Sequence, residues 1–197
     1  MDLCGGQALV FGAKGAALWR FTPPVKHRAI VMQPYRGFPL WHPTWMGRTA
    51  WFRQWRYKET ALLGQDQELL LRSYEQSCFA NVPEIVLGYR QEHVPLKKLA
   101  RYKLLWTKYV FAHEGASMAL HRRLAFILVQ IARLGANCVA ALGGPTRRLG
   151  RQGAAPPSAE QLEAWRILWS GLEAAGVASS EFVHPAAFGP DALEAGS

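Results

Sequence analysis

The chain has 197 residues, half of them hydrophobic, and a net charge of +9. That length and apolar share fit a packed domain with appendages and exclude global disorder. The charge is uneven: residues 1–89 carry 10 Lys/Arg against 6 Asp/Glu, residues 90–151 carry 12 against 2, and residues 152–197 carry 1 against 6. The excess therefore sits in one middle segment, which favours an anionic partner. Cys4, Cys78 and Cys138 are widely spaced and odd in number, so they read as reduced, mostly buried thiols rather than a disulfide framework. No basic start leads into an apolar run at the N-terminus, so no secretory leader is expected. The reading for location is cytoplasmic.

In chain order, Gln7–Gly12 reads as a short apolar strand, and Ala16–Phe21 as its hairpin partner across a Lys14-Gly15 turn. Four prolines between Pro23 and Pro39 mark a loop that leaves room for one short helix near Lys26–Met32. The stretch His42-Pro43-Thr44-Trp45-Met46-Gly47-Arg48 starts extended and turns into a short helix over Arg48–Trp55. Gly64 precedes a helix over Asp66–Ser77, with Leu69, Leu70 and Tyr74 on its apolar side. The run from Phe79 reads as loop and then as a strand over Glu84–Tyr89.

Beyond Pro95 the periodicity is helical. Tyr102, Leu105, Trp106 and Tyr109 form an apolar face, and Lys97, Arg101 and Lys108 lie within about 40° of one another as a basic stripe. A second helix over Ser117–Leu142 is expected to repeat that design, with Arg123, Gln130, Arg133 and Asn137 on its polar side. The same polar residues and Gly135 make Leu124–Leu142 a poor membrane span, which wants about 20 mostly apolar residues. A basic linker follows, then a last amphipathic helix capped by Ser158, and a frayed end.

Asp66 leads the residues that can carry chemistry. An acid inside the first turn of a helix is kept ionised by the exposed N–H groups there, which suits a general base; the same placement also suits a plain helix cap. Glu68 reads as a solvated first-turn acid. Phe38, Trp41, Trp45, Trp51, Phe52, Trp55 and Tyr57 form an aromatic patch. Most of it reads as core, while Trp41, His42 and Trp45 flank a loop proline and read as ligand surface. No HxxxH, HExxH, GxSxG, Walker or GxGxxG pattern is present, and single histidines such as His42 and His93 are not metal sites on that basis. The two basic helices admit a solvated face, an anionic membrane surface or nucleic acid. The leucines and aromatics opposite the charges favour the membrane and disfavour nucleic acid, at about 1 kcal/mol per Lys or Arg near such a surface.

Four stretches together resemble the second half of a family 2 glycosyltransferase. They are Gly5-Gly6 with its strand, the loop His42–Arg48, Gln65-Asp66 with Leu69 and Arg72, and Ala80-Asn81-Val82-Pro83-Glu84 with Tyr89-Arg90. The resemblance covers about residues 4–92. It implies an α/β class with a partial GT-A-like domain over residues 1–94. A basic amphipathic helical segment over 95–151 and a linker, helix and tail over 152–197 would follow. It implies an inverting transfer of sugar from a nucleotide-sugar donor to a hydroxyl of a saccharide or lipid-linked acceptor, in surface polysaccharide or glycolipid synthesis. Asp66 would be the base, and Trp41, His42, Thr44, Trp45, Met46, Gln65 and Arg72 would lie on the acceptor side. Gln65 stands where many members have Glu, and Glu92 stands where many have His. The family's DxD motif, which holds Mg²⁺ or Mn²⁺ against the donor diphosphate, is absent from this sequence. The resemblance thus implies that the donor-binding half, roughly a hundred residues, lies outside it. The chain alone would then transfer no sugar. The other readings are a non-enzymatic basic module for membrane or nucleic acid, and a remnant of a larger fold.

Overall fold

A computed structural model of the chain describes residues 1–61, 63–91, 96–114, 119–142 and 153–176; within these, the side chains of residues 13, 96, 114 and 137–142 are left aside. The class is mixed α and β. Strand β1 (Leu3–Phe11) is central. Strand β4 (Phe79–Arg90) runs parallel to it along its length. The two-residue β3 (Met46–Gly47) and β2 (Ala17–Phe21) pair antiparallel with its first and last portions. A further two-residue strand, β5 (Ala154–Ala155), pairs antiparallel with β2.

The β1–β2 hairpin forms where expected. Lys14 and Gly15 both adopt positive φ, at 59° and 73°, which reverses the chain with the twist a hairpin needs. Strand β4 is longer than the expected Glu84–Tyr89. It begins at Phe79, because Pro83 does not break it: the ladder slips between Gly5↔Asn81 and Gln7↔Ile85, and Val82–Glu84 bulge outward there. A bulge tolerates a residue with no N–H to donate. Gly5 is required at this point. A Cβ on it would lie 2.5 Å from Asn81 Oδ1 and 3.3 Å from Leu40 and Thr44.

Asn81 is fully enclosed, and its Nδ2 donates to the carbonyls of Pro24 at 2.8 Å and Pro39 at 3.1 Å. Its own N–H donates to Val25 O at 3.1 Å. The proline-rich loops are thereby tied to the sheet, which gives that irregular segment a fixed path. Within it, α1 (His27–Ile30) is the expected short helix. His27 Nδ1 accepts from Phe79 N–H at 3.0 Å, which places the neutral ring's proton on Nε2.

The short α2 (Thr49–Gln54) and the longer α3 (Gln65–Ser73) cover one side of β1. The main core joins Leu3, Ile30, Phe38, Leu40, Trp51, Leu69, Leu70, Leu71 and Phe79 to Trp106, Val110 and Phe126 of the later helices. Trp51, Phe38, Phe52 and Trp55 are core aromatics, as the composition of the patch suggested. A smaller cluster of Ala8, Val10, Trp19 and Phe21, with Trp41 and Leu87 against it, fills the other side.

Helices α4 (Leu96–Glu114) and α5 (Leu120–Leu142) pack on each other, and Phe111 meets Phe126 at 5.8 Å. In α4 the expected faces hold: Trp106 is buried, and Lys97, Arg101 and Lys108 are exposed. The second helix departs from expectation. Gln130 is buried and Arg123 and Arg133 are half-buried on the packed side, so α5 does not repeat the design of α4. Burial and then the nearby Arg36 guanidinium lower the pKa of Arg133, and burial and then Arg133 lower that of Lys103. The last helix, α6 (Ala159–Ala174), opens with Ser158 and Gln161 in a reciprocal capping box. It docks on the hairpin turn through Trp165, whose Nε1 donates to Gly15 O at 2.7 Å, and through Trp165 and Trp169 against Phe11.

The cysteines correct one expectation. Cys4 is a partly buried free thiol, but Cys78 is exposed; the side chain of Cys138 lies outside the described residues, as do the end expected to fray and residues 143–152 of the basic linker expected over 143–157, whose later part forms β5 instead.

The close approach of Gly5 to Asn81 is testable. Gly5→Ala should lower the unfolding free energy by about 1–3 kcal/mol in urea titration, the usual range for a methyl forced into filled space.

Candidate functional site

The site is built from two local structures. Residues His42–Thr44 form a single 3-10 turn after Trp41. Thr44 holds it: its Oγ1 donates to Trp41 O at 2.7 Å and accepts from Gly6 N–H at 3.0 Å. Trp45 Nε1 donates to Leu40 O at 3.2 Å, which fixes the indole across the turn. The second structure is the start of α3. Gly64, at φ 72°, takes the left-handed conformation needed to turn the chain into the helix, and the Tyr102 ring would lie 2.8 Å from a Cβ there.

Asp66 follows at the second helical position. It is half-exposed, and its carboxylate makes no hydrogen bond or ion pair among the described residues. It is close enough to two phenols to act on them. The Tyr57 hydroxyl is pushed above its ordinary pKa by partial burial and then by the Asp66 charge. That of Tyr102 is pushed up further, by burial first, then Asp66 and Tyr109. Tyr57 in turn shares a hydrogen bond of 3.0 Å with His42 Nε2, and the His42 ring meets Trp45 edge to face at 4.9 Å. Tyr57, His42 and Trp45 thus touch in sequence, and Asp66 lies near enough to Tyr57 for its charge to act there.

Gln67, the residue after Asp66, and Tyr102 line a cleft of about 320 Å³ with Trp19, Phe21, Trp41 and Tyr89. Gln67 forms one wall by pairing with the Phe38 backbone: Phe38 N–H donates to its Oε1 at 2.7 Å, and its Nε2 donates to Phe38 O at 3.2 Å. Trp41 stacks on Trp19 at 5.9 Å and tilts against Tyr89 at 4.8 Å. An aromatic cleft with a few amides and one guanidinium, Arg36, suits a small ligand with both apolar and hydroxyl-rich faces.

The expected residues are thus divided. Trp41 lines the cleft, whereas Asp66, His42 and Trp45 are not among its walls, and Trp45 packs partly against the main core. Gln65 is exposed next to Asp66, and Met46 points outward at the start of β3. The Thr44 hydroxyl is committed to the turn. Arg72 is committed to the fold: its Nε donates to Glu68 Oε1 at 2.7 Å and its Nη2 to Arg56 O at 2.6 Å. Glu92 and His93 lie outside the described residues.

Glu68 corrects the reading of a solvated acid. Its side chain is buried, with Oε1 bonded to Arg72 and 3.0 Å from Lys58 Nζ, while Oε2 is unpartnered. The tertiary structure brings Lys58, ten residues earlier, over the helix start, which no helical wheel of α3 contains. Tyr57 stood among the patch aromatics, and Tyr102 on an apolar helix face. Their shared proximity to Asp66 is a contact between distant segments, and the only local hint was Gly64.

No protein-family model, curated protein or solved structure matches the chain.

Two outcomes test this geometry. Asp66→Asn should lower the alkaline titration midpoints of Tyr57 and Tyr102, read from phenolate absorbance, because removal of a nearby negative charge eases ionisation of a phenol. Glu68→Gln should cost about 1–3 kcal/mol of stability by equilibrium unfolding, since it weakens charge-assisted bonds to Arg72 and Lys58.

Proposed function

We propose that the chain is the acceptor-side portion of an inverting sugar transferase of the family 2 kind, with a partial GT-A-like domain and Asp66 as general base. One observation carries the reading: a carboxylate at the positive end of a helix, half-exposed and unbonded, beside a loop of His42 and Trp45 and an aromatic cleft. A general base needs free lone pairs open to an incoming hydroxyl, and this position supplies them. The order of elements supports it as well: Gly5-Gly6 in β1, the tryptophan loop, the Asp66 helix and the parallel β4 follow one another as in the resemblance.

In this reading the saccharide or lipid-linked acceptor stacks on Trp41 or Trp45 and presents a hydroxyl to Asp66. The carboxylate takes the hydroxyl proton as the oxygen attacks the anomeric carbon from the face opposite the nucleotide. The bond from that carbon to the diphosphate oxygen breaks, and the configuration inverts. Tyr57 and His42 orient the acceptor. Mg²⁺ or Mn²⁺ would neutralise the departing diphosphate in the complete enzyme. Among the described residues no group of three or more His, Cys, Asp or Glu is placed to hold a metal. The product would be a surface polysaccharide or glycolipid, made on the cytoplasmic side.

Binding of the full chain to an oligosaccharide array, followed by tryptophan fluorescence with the best glycan, tests the acceptor surface. Trp41→Ala should weaken that binding about tenfold, the scale of a lost aromatic stacking contact. With a donor-binding half joined ahead of Met1, Asp66→Asn should reduce transfer about 10²–10⁴-fold while glycan binding persists. A chain that ignores every glycan and nucleotide sugar but binds oligonucleotides would favour the non-enzymatic basic module.

A further inference from the structure

Helix α5 faces the wrong way for a helix that simply covers a core. Its polar side is the packed one: Gln130 keeps only 6% of its surface, with neither amide atom bonded, and Arg123 and Arg133 are half-buried near Phe126. Its apolar side is bare. Leu120, Leu124, Leu128 and Ile131 keep 71, 53, 66 and 61% of their surface. At the helical period these four fall within about 80° of one another and extend about 17 Å along the axis. A continuous apolar strip of this kind marks a contact with something else.

Charge decides what that is. Helices α4 and α5 hold eight Lys/Arg, and their only acid is Glu114. Lys97, Lys98, Arg101 and Lys108 of α4 and Arg122 of α5 are exposed. Leu104, 72% exposed, shares the Lys97–Arg101–Lys108 stripe at helical spacing. A second copy laid on this surface would bring like charges together. An anionic surface would neutralise them while its apolar layer covers the leucines, which is the arrangement of a helix lying in a membrane interface. No helix among the described residues is long and apolar enough to cross a membrane.

We propose that α5, together with the exposed basic residues of α4, docks the chain on an anionic lipid bilayer. Leu120, Leu124, Leu128 and Ile131 enter the boundary between headgroups and acyl chains, and the lysines and arginines lie against lipid phosphates. The inference stands on these two helices and does not depend on sugar transfer.

Co-sedimentation of the full chain with vesicles tests it. Vesicles of phosphatidylcholine and phosphatidylglycerol in equal parts should pellet the chain at low salt, pure phosphatidylcholine should pellet much less, and added salt should release it. The double variant Leu124→Asp/Leu128→Asp changes two exposed positions. It should keep the circular dichroism and melting of the parent yet lose at least about tenfold in lipid partition. Lys97→Gln/Arg101→Gln/Lys108→Gln should lose the preference for the anionic vesicles. The proposal is overturned if the phosphatidylglycerol vesicles do not bind the chain, or if the folded double aspartate variant binds as the parent does. Sedimentation velocity without lipid that shows a dimer abolished by the same variant would assign the strip to a second copy instead. Displacement from vesicles by a duplex oligonucleotide, with the leucine variant unaffected in duplex binding, would assign the charges to nucleic acid.

Discussion

The enclosed amide of Asn81 holds together parts of the chain that have no regular structure of their own. Its Nδ2 reaches two proline carbonyls in separate loops, and its N–H reaches a third carbonyl between them. Prolines cannot supply backbone donors, so loops rich in them need donors from elsewhere. With Asn81 in place, residues 38–45 run along β1 in one path, and Trp41 and Trp45 are presented on fixed sides of it. The same residue sets a limit on its neighbour. Its Oδ1, which has no donor of its own, lies where a side chain on Gly5 would be. The glycine pair thus serves the packing of two parallel strands.

The two carboxylates of helix α3 show how burial separates roles. Asp66 and Glu68 are two residues apart in the same first turn, so both feel the same helix end. Glu68 is turned inward and tied by Arg72 and Lys58, and it serves to fasten the segment that carries Tyr57. Asp66 is turned outward and left unbonded, and its charge acts on phenols from two different parts of the chain. A fastened acid beside a free one gives the free one a rigid mounting.

Local chemistry was legible in the sequence, and long-range chemistry was not. The Lys14-Gly15 turn, the short helix before Trp55 and the Ser158 cap were readable because each depends on residues within one turn of itself. The start of β4 was missed because Pro83 looks like a strand breaker, and only the partner strand shows that it sits on a bulge. Strand β5 was missed because Ala154-Ala155 carries no strand preference. The faces of α4 followed from spacing, yet the same reasoning failed on α5. A wheel says which residues share a side; it does not say which side another helix will cover. At the site, Asp66 stood out because of Gly64, while Tyr57 and Tyr102 were brought near it by folding from positions that looked ordinary.

Strand β4 is paired on one side by β1, and among the described residues no strand lies along its other side. Val82 and Val86 are exposed on it, with Glu84 and Arg90 exposed between and beyond them. Near its start Phe79 N–H and Asn81 N–H are already bonded, to His27 Nδ1 and Val25 O, so an extended segment that adds to this edge would do so beyond the Pro83 bulge. An acid set between Val82 and Val86 is the usual means by which such a rim resists pairing with a second copy, so the edge carries its own guard where it lies open.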